Sequence, residues 1–206
     1  MADLSFFAAL LATVTFSASG VLAARATRLD IIGVMVVGVV TAVGGGTVRD
    51  IILDVPVFWI ADPRYLNAAV AAAIASFFLQ DLIHRRYQWL LYLDALGVAL
   101  FASLAVGKTL SLGLGYAPAA VMGVITGIGG GIIRDLLTGR PTLIMSRELY
   151  ATPILLGIGA QMVLLGPLGV AVPLATLAGG VLVFLTRAAA IRFHLEMPEF
   201  LTLGRG

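Results

Sequence analysis

The chain matches itself. Shifted by 85 positions, Gly38-Val39 falls on Gly123-Val124 and Thr41 on Thr126. The triplet Gly44, Gly45, Gly46 falls on Gly129, Gly130, Gly131, and Arg49-Asp50 falls on Arg134-Asp135. Pro56 falls on Pro141 and Tyr65 on Tyr150. Each copy reads G-V-x-T-x-x-G-G-G-x-x-R-D-x5-P-x8-Y with no gap. Two related structural units must therefore be built from one chain.

Apolar runs decide what those units are. Hydrophobic residues make up 60% of the sequence and charged residues only 12%, against roughly a quarter charged in a soluble domain. The mean hydropathy is +1.06. Such a chain has too little polar surface to coat a water-soluble globule, and the bilayer is its natural solvent. A spanning helix needs about 20 mostly apolar residues. Runs of this kind are Leu4 to Ala24, Ile31 to Val48, Tyr65 to Gln80, Tyr87 to Gly107 and Thr109 to Ile133. Leu149 to Thr186 is too long for one crossing, and Gly166-Pro167 divides it, because proline lacks an amide donor and disfavours helix before it. The expectation is an all-α integral membrane protein with seven transmembrane helices. The first run, lacking a basic leader, is expected to be a retained helix.

Each motif copy lies on the middle helix of three. Three is odd, so the units enter the membrane with opposite polarity, giving an inverted repeat of 3+3 plus one additional helix. The boundaries read as 1–84 for the first repeat, 85–166 for the second, and 167–206 for the seventh helix and its tail. Orientation follows from arginine and lysine. Arg25, Arg28, Arg85, Arg86, Arg140, Arg147, Arg187, Arg192 and Arg205 fall on one side, and only Arg64 and Lys108 on the other. The N-terminus is expected outside and the C-terminus in the cytoplasm, with Arg187 and Arg192 against anionic lipid heads.

The candidate path residues cluster on the repeat. Glycine triplets weaken a helix by roughly 1 kcal/mol per residue relative to alanine. They serve either close helix packing or a kinked segment lining a hydrated path, and the two are compatible. Arg49, Asp50, Arg134 and Asp135 follow one turn later; buried charge in a span faces a polar interior, while charge near a helix end snorkels. Adjacent helix positions point about 100° apart, so Arg49 and Asp50 are expected to pair across helices and not with each other. Asp94 interrupts the fourth run about 10 Å from its start. It is expected to pair with Arg134. Thr41 and Thr126 precede the triplets and bond to exposed carbonyls or line the path. Tyr65 and Tyr150 read as interfacial anchors or as hydroxyls turned to the path.

The doubled GGG-x-x-R-D motif on seven spans resembles the prokaryotic branch of the trimeric intracellular cation (TRIC) channel family. The resemblance implies a homotrimer with a pore inside each protomer, conducting monovalent cations, chiefly potassium, with lipid contacts at the trimer. It implies kinked second and fifth helices lining the path, and together with the residue reading the expected path runs along Thr41, Gly44, Gly45, Gly46, Arg49, Asp50, Asp94, Thr126, Gly129, Gly130, Gly131, Arg134 and Asp135. The location it implies is a bacterial inner membrane. The family also holds sequences described as glycine transporters, so a small-amino-acid carrier stands as the alternative.

Other classes find no support. Cysteine is absent, and His84 and His194 lie in charged stretches at helix ends, so neither a metal site nor any cofactor is expected. No nucleophile set or phosphate loop appears, which argues against an enzyme. A formal net charge of +2 gives no basis for nucleic-acid binding.

Overall fold

In a computed structural model the described residues are 2–25, 27, 29–82, 86–146 and 148–198. The expected boundary charges Arg28, Arg85, Arg147 and Arg205, together with His84, lie outside them. The described residues form eight α-helices: α1 (Ala2–Ala24), α2 (Ile31–Ile52), α3 (Phe58–Ala61), α4 (Pro63–Leu79), α5 (Arg86–Ser111), α6 (Tyr116–Leu137), α7 (Ala151–Leu165) and α8 (Val172–Phe193). Five of these, α1, α2, α5, α6 and α8, are long and apolar enough to cross a membrane. The helices α4 and α7 have 17 and 15 residues. At 1.5 Å per residue these reach about 25 and 23 Å, short of the ~30 Å hydrocarbon layer.

One boundary needs correction. The run expected from Thr109 does not begin a helix; α5 continues to Ser111 and α6 starts at Tyr116. Lys108 does not end a helix merely by being charged. Gly113 does, through its left-handed conformation at φ +79°, which costs glycine nothing. The break expected at Gly166-Pro167 is present, between Leu165 and Val172.

The core is built from equivalent contacts, each displaced by 85 residues. The helices α2 and α6 both have 22 residues, and each triplet begins at the fourteenth position. The two helices cross with their backbones touching. A methyl group on Gly130 would sit 2.5 Å from the Thr41 carbonyl oxygen, and one on Gly45 would strike the carbonyl oxygen of Thr126. Gly38 packs against the Ser17 carbonyl of α1, and Gly123 against the Ala102 carbonyl of α5. Phe16 and its equivalent Phe101 stack on each other, with ring centroids 5.7 Å apart.

The ends of α2 and α6 repeat the same construction. Leu53 donates its N–H to the carbonyl of Arg49, and Thr138 to that of Arg134. Asp54 and Gly139 follow at φ +52° and +64°, the left-handed conformation that closes many helices. A short helical segment comes next in each case, at Phe58–Ala61 and Leu143–Met145.

Both triplets remain α-helical throughout, so neither helix is interrupted there. The missing side chains let α2 and α6 approach, as the packing alternative expects. Gly130→Ala should therefore lower stability by about 1–3 kcal/mol through overpacking. Gly159→Ala on α7, where an added methyl meets nothing within 4 Å, should raise it by about 1 kcal/mol. Thermal unfolding of the two variants in detergent checks both signs.

Candidate functional site

Two buried charge sets flank the α2–α6 crossing. In the first, the Arg49 Nε donates to Asp50 Oδ1 at 2.7 Å. Lys108 Nζ, from α5, donates to the same oxygen at 2.6 Å. The second oxygen of Asp50 accepts the backbone N–H of Phe58 at 2.9 Å. The Arg49 guanidinium lies 5.8 Å from the centroid of the Phe58 ring.

In the second set, Arg134 Nε donates to Asp135 Oδ1 at 2.8 Å, and Arg134 Nη1 donates to Asp94 Oδ1 at 2.7 Å. The same Nη1 reaches Ser19 Oγ at 3.3 Å. Asp135 Oδ2 accepts the N–H of Leu143 at 3.1 Å, as Asp50 does for Phe58. The side chains of Arg134 and Asp94 are fully buried. The ion pair expected between Asp94 and Arg134 is thus formed.

The expectation that Arg49 and Asp50 would not pair needs correction, and so does the parallel case of Arg134 and Asp135. Adjacent side chains do leave a helix about 100° apart. Arginine, however, carries its donors on a long flexible stem, and a fork geometry lets Nε bond sideways while the Nη atoms point elsewhere. In this way Arg134 serves two carboxylates at once.

The two sets differ in sign. At the position equivalent to Asp94 the first half carries Ala9, and at that of Lys108 it carries Ala23. Two cations face one carboxylate around Arg49, a formal +1. One cation faces two carboxylates around Arg134, a formal −1.

Glycine makes the space for each set. A methyl on Gly46 would meet the Phe58 ring at 2.5 Å, and one on Gly131 would meet Tyr150 Oη at 3.0 Å and Asp94 Oδ1 at 3.1 Å. Gly44 lies against the Ile133 side chain and Gly129 against the Gly45 backbone. The Thr41 and Thr126 hydroxyls donate to the carbonyls of Val37 and Met122 on their own helices, both at 2.6 Å. They are not aimed at other carbonyls.

A cleft of about 580 Å³ adjoins the first set, lined by Arg49, Lys108, Phe58 and Tyr65 together with apolar faces of α1, α5 and α8. Tyr65 is half-buried there. Its equivalent Tyr150 is only 4% exposed, so it is not an interfacial anchor.

Two participants escaped the sequence reading. Lys108 passed for a boundary charge. Its spacing held the signal: 14 residues after Asp94 is close to four helical turns, so both charges lie on one face of α5, about 21 Å apart. Arg187 passed for a lipid-facing charge, yet it is fully buried. Nothing in its local sequence distinguishes it from Arg192, which is exposed.

The chain is similar to known proteins over most of its length. A family model described as glycine transporter matches residues 6–81 and again 91–166. The second stretch begins and ends 85 residues after the first. The inner membrane protein YadS of Escherichia coli K12 is 43% identical over 190 residues, covering 91% of this chain and 92% of that protein. A membrane protein of Vibrio cholerae is 40% identical over 190 residues, covering 91% and 79%. Among solved structures, the trimeric intracellular cation channel orthologue from Rhodobacter sphaeroides has a TM-score of 0.88 at 39% identity, covering 93% of this chain and 99% of that one. A prokaryotic TRIC channel solved in 0.5 M KCl has a TM-score of 0.87 at 26% identity, covering 96% and 100%.

The burial difference between the sets sets the size of their mutational effects. Asp94→Ala strands half of Arg134's counter-charge in a fully buried site and should cost about 3–5 kcal/mol. Lys108→Ala leaves Asp50 paired with Arg49, and the Lys108 side chain is 33% exposed, so about 1 kcal/mol or less is expected. Melting temperatures in detergent would rank the two.

Proposed function

Because the chain belongs to the trimeric intracellular cation (TRIC) channel family, we propose that it conducts monovalent cations, chiefly potassium, along a path inside each protomer of a homotrimer. The observation that carries this reading is the pair of buried charge sets at equivalent positions on either side of one helix crossing. Buried charge in a membrane protein is costly and is kept where ions or polar substrates pass. The path follows Thr41, Gly44, Gly45, Gly46, Arg49 and Asp50 on α2, Asp94 on α5, and Thr126, Gly129, Gly130, Gly131, Arg134 and Asp135 on α6. Arginine in a cation path is not a contradiction here. Each guanidinium is held by a carboxylate, Arg49 by Asp50 and Arg134 by Asp94 and Asp135, so neither is an unpaired charge on the path, while Lys108, which shares Asp50 with Arg49, leaves that set at a formal +1.

The layout that fits this function is the inverted repeat. Residues 1–84, with α1, α2 and α4, form one unit; 85–166, with α5, α6 and α7, form the other; 167–206 add α8 and the tail. The double match of one family model at an offset of 85 residues supports it. On this layout seven helices cross a bacterial inner membrane, with the N-terminus outside and the C-terminus in the cytoplasm. The Arg49 set then lies toward the outside and the Arg134 set toward the cytoplasm. Membrane lipids surround the trimer.

A second reading is favoured by the description of the family model. A carrier of glycine or a similar amino acid would use an arginine for the carboxylate and move the repeats against each other. Purified protein in planar bilayers separates the two. Stepwise potassium currents far faster than a carrier cycle are the expected result; saturable glycine uptake with no such currents would overturn the channel reading. In the same recordings Arg134→Ala should change unitary conductance or open probability, and records indistinguishable from wild type would remove Arg134 from the path.

A further inference from the structure

The two tyrosines of the repeat are held differently, and the difference comes from α8, outside the repeat. Tyr65 packs edge-on against Phe58 and tilts against Phe6, with ring centroids 5.0 and 5.4 Å away. Among the described residues no arginine is stacked over it. Tyr150 has the Arg187 guanidinium over its ring at 4.6 Å. Arg187 Nη1 donates to the carbonyl of Leu149 at 2.6 Å, and Nε and Nη2 have no hydrogen-bond partner among the described residues. The loop before α7 is gripped a second time by the end of α8. His194 turns into the left-handed conformation at φ +51°, and the Leu195 carbonyl then accepts the N–H of Leu149 at 3.2 Å. The far end of Tyr150 lies beside Asp94: its hydroxyl and Asp94 Oδ1 both border the space left by Gly131.

We infer that Arg187 is a positioning residue for the Arg134 set: it clamps Tyr150 so that the phenol stays beside Asp94 and the Asp94–Arg134 pair stays closed. This rests on the reading of that pair as part of an ion path. A buried guanidinium over an aromatic face contributes both attraction and orientation. Its bond to Leu149 fixes the backbone from which Tyr150 projects. Among the described residues the Arg49 set has no such clamp, and its tyrosine borders an open cleft. The clamped end is thus the fixed end of the path, and the cleft end is the adjustable one.

A mutant cycle tests the clamp. Arg187→Gln and Asp94→Asn are combined in the wild-type background and again in the background of Tyr150→Phe. Melting temperature in detergent and single-channel open probability are read for each. The expected result is coupling between Arg187 and Asp94 that disappears when the hydroxyl is removed. Plain charge attraction between the two would persist in the Tyr150→Phe background, so persistent coupling overturns the assignment, as does additivity throughout. Coupling in melting temperature with none in open probability also overturns it, because the clamp would then serve the fold alone. Should Asp94→Asn fail to fold, Arg187→Gln and Tyr150→Phe must be non-additive in open probability; additive effects reject the clamp. If wild-type protein carries no cation current, the channel reading falls, while the melting cycle still decides whether Arg187 positions Tyr150.

Discussion

Everything in this fold hangs on two helices touching backbone to backbone. At the crossing of α2 and α6, Gly45 meets the Thr126 carbonyl and Gly130 meets the Thr41 carbonyl. Lipid supplies no hydrophobic force to press helices together, so close van der Waals approach of small residues must do it. That approach sets the distance between the two arginines one turn further along each helix. It also brings α1 and α5 into register, so that Phe16 can stack on Phe101. A side chain larger than hydrogen at the crossing would push apart the elements that carry the charge.

The charge sets show what duplication within one chain permits. The residues that build the scaffold are kept in both copies: triplet, arginine, aspartate, proline and tyrosine. The residues that decide the sign of each set are not, since Ala9 stands opposite Asp94 and Ala23 opposite Lys108. Two separate identical chains could not differ in this way at their two ends. Fusion frees each end to acquire its own charge while the common scaffold is retained.

What was legible in the sequence followed from regular spacing. The offset of 85 residues exposed the paired motifs, the Gly166-Pro167 break separated the last two helices, and the depth of Asp94 pointed to Arg134. What was not legible depended on reach and on tertiary surroundings. Arg49 bends to its own neighbour because its stem is long, which an angular argument ignores. Lys108 and Arg187 sit near helix ends, where charge ordinarily meets water or headgroups, and only the packing of α5 and α8 against the rest makes Arg187 interior and turns Lys108 to Asp50. The start of α6 was misplaced because Lys108 drew the boundary that Gly113 actually sets.

The aspartates after each triplet have one more consequence. Asp50 grips an arginine with one oxygen and the amide of Phe58 with the other; Asp135 does the same with Arg134 and Leu143. Each carboxylate is therefore a rivet joining a deep guanidinium to the short helical segment that begins eight residues downstream. Neither can shift alone: a force applied to the segment is felt at the guanidinium, and a displacement of the guanidinium is felt at the segment.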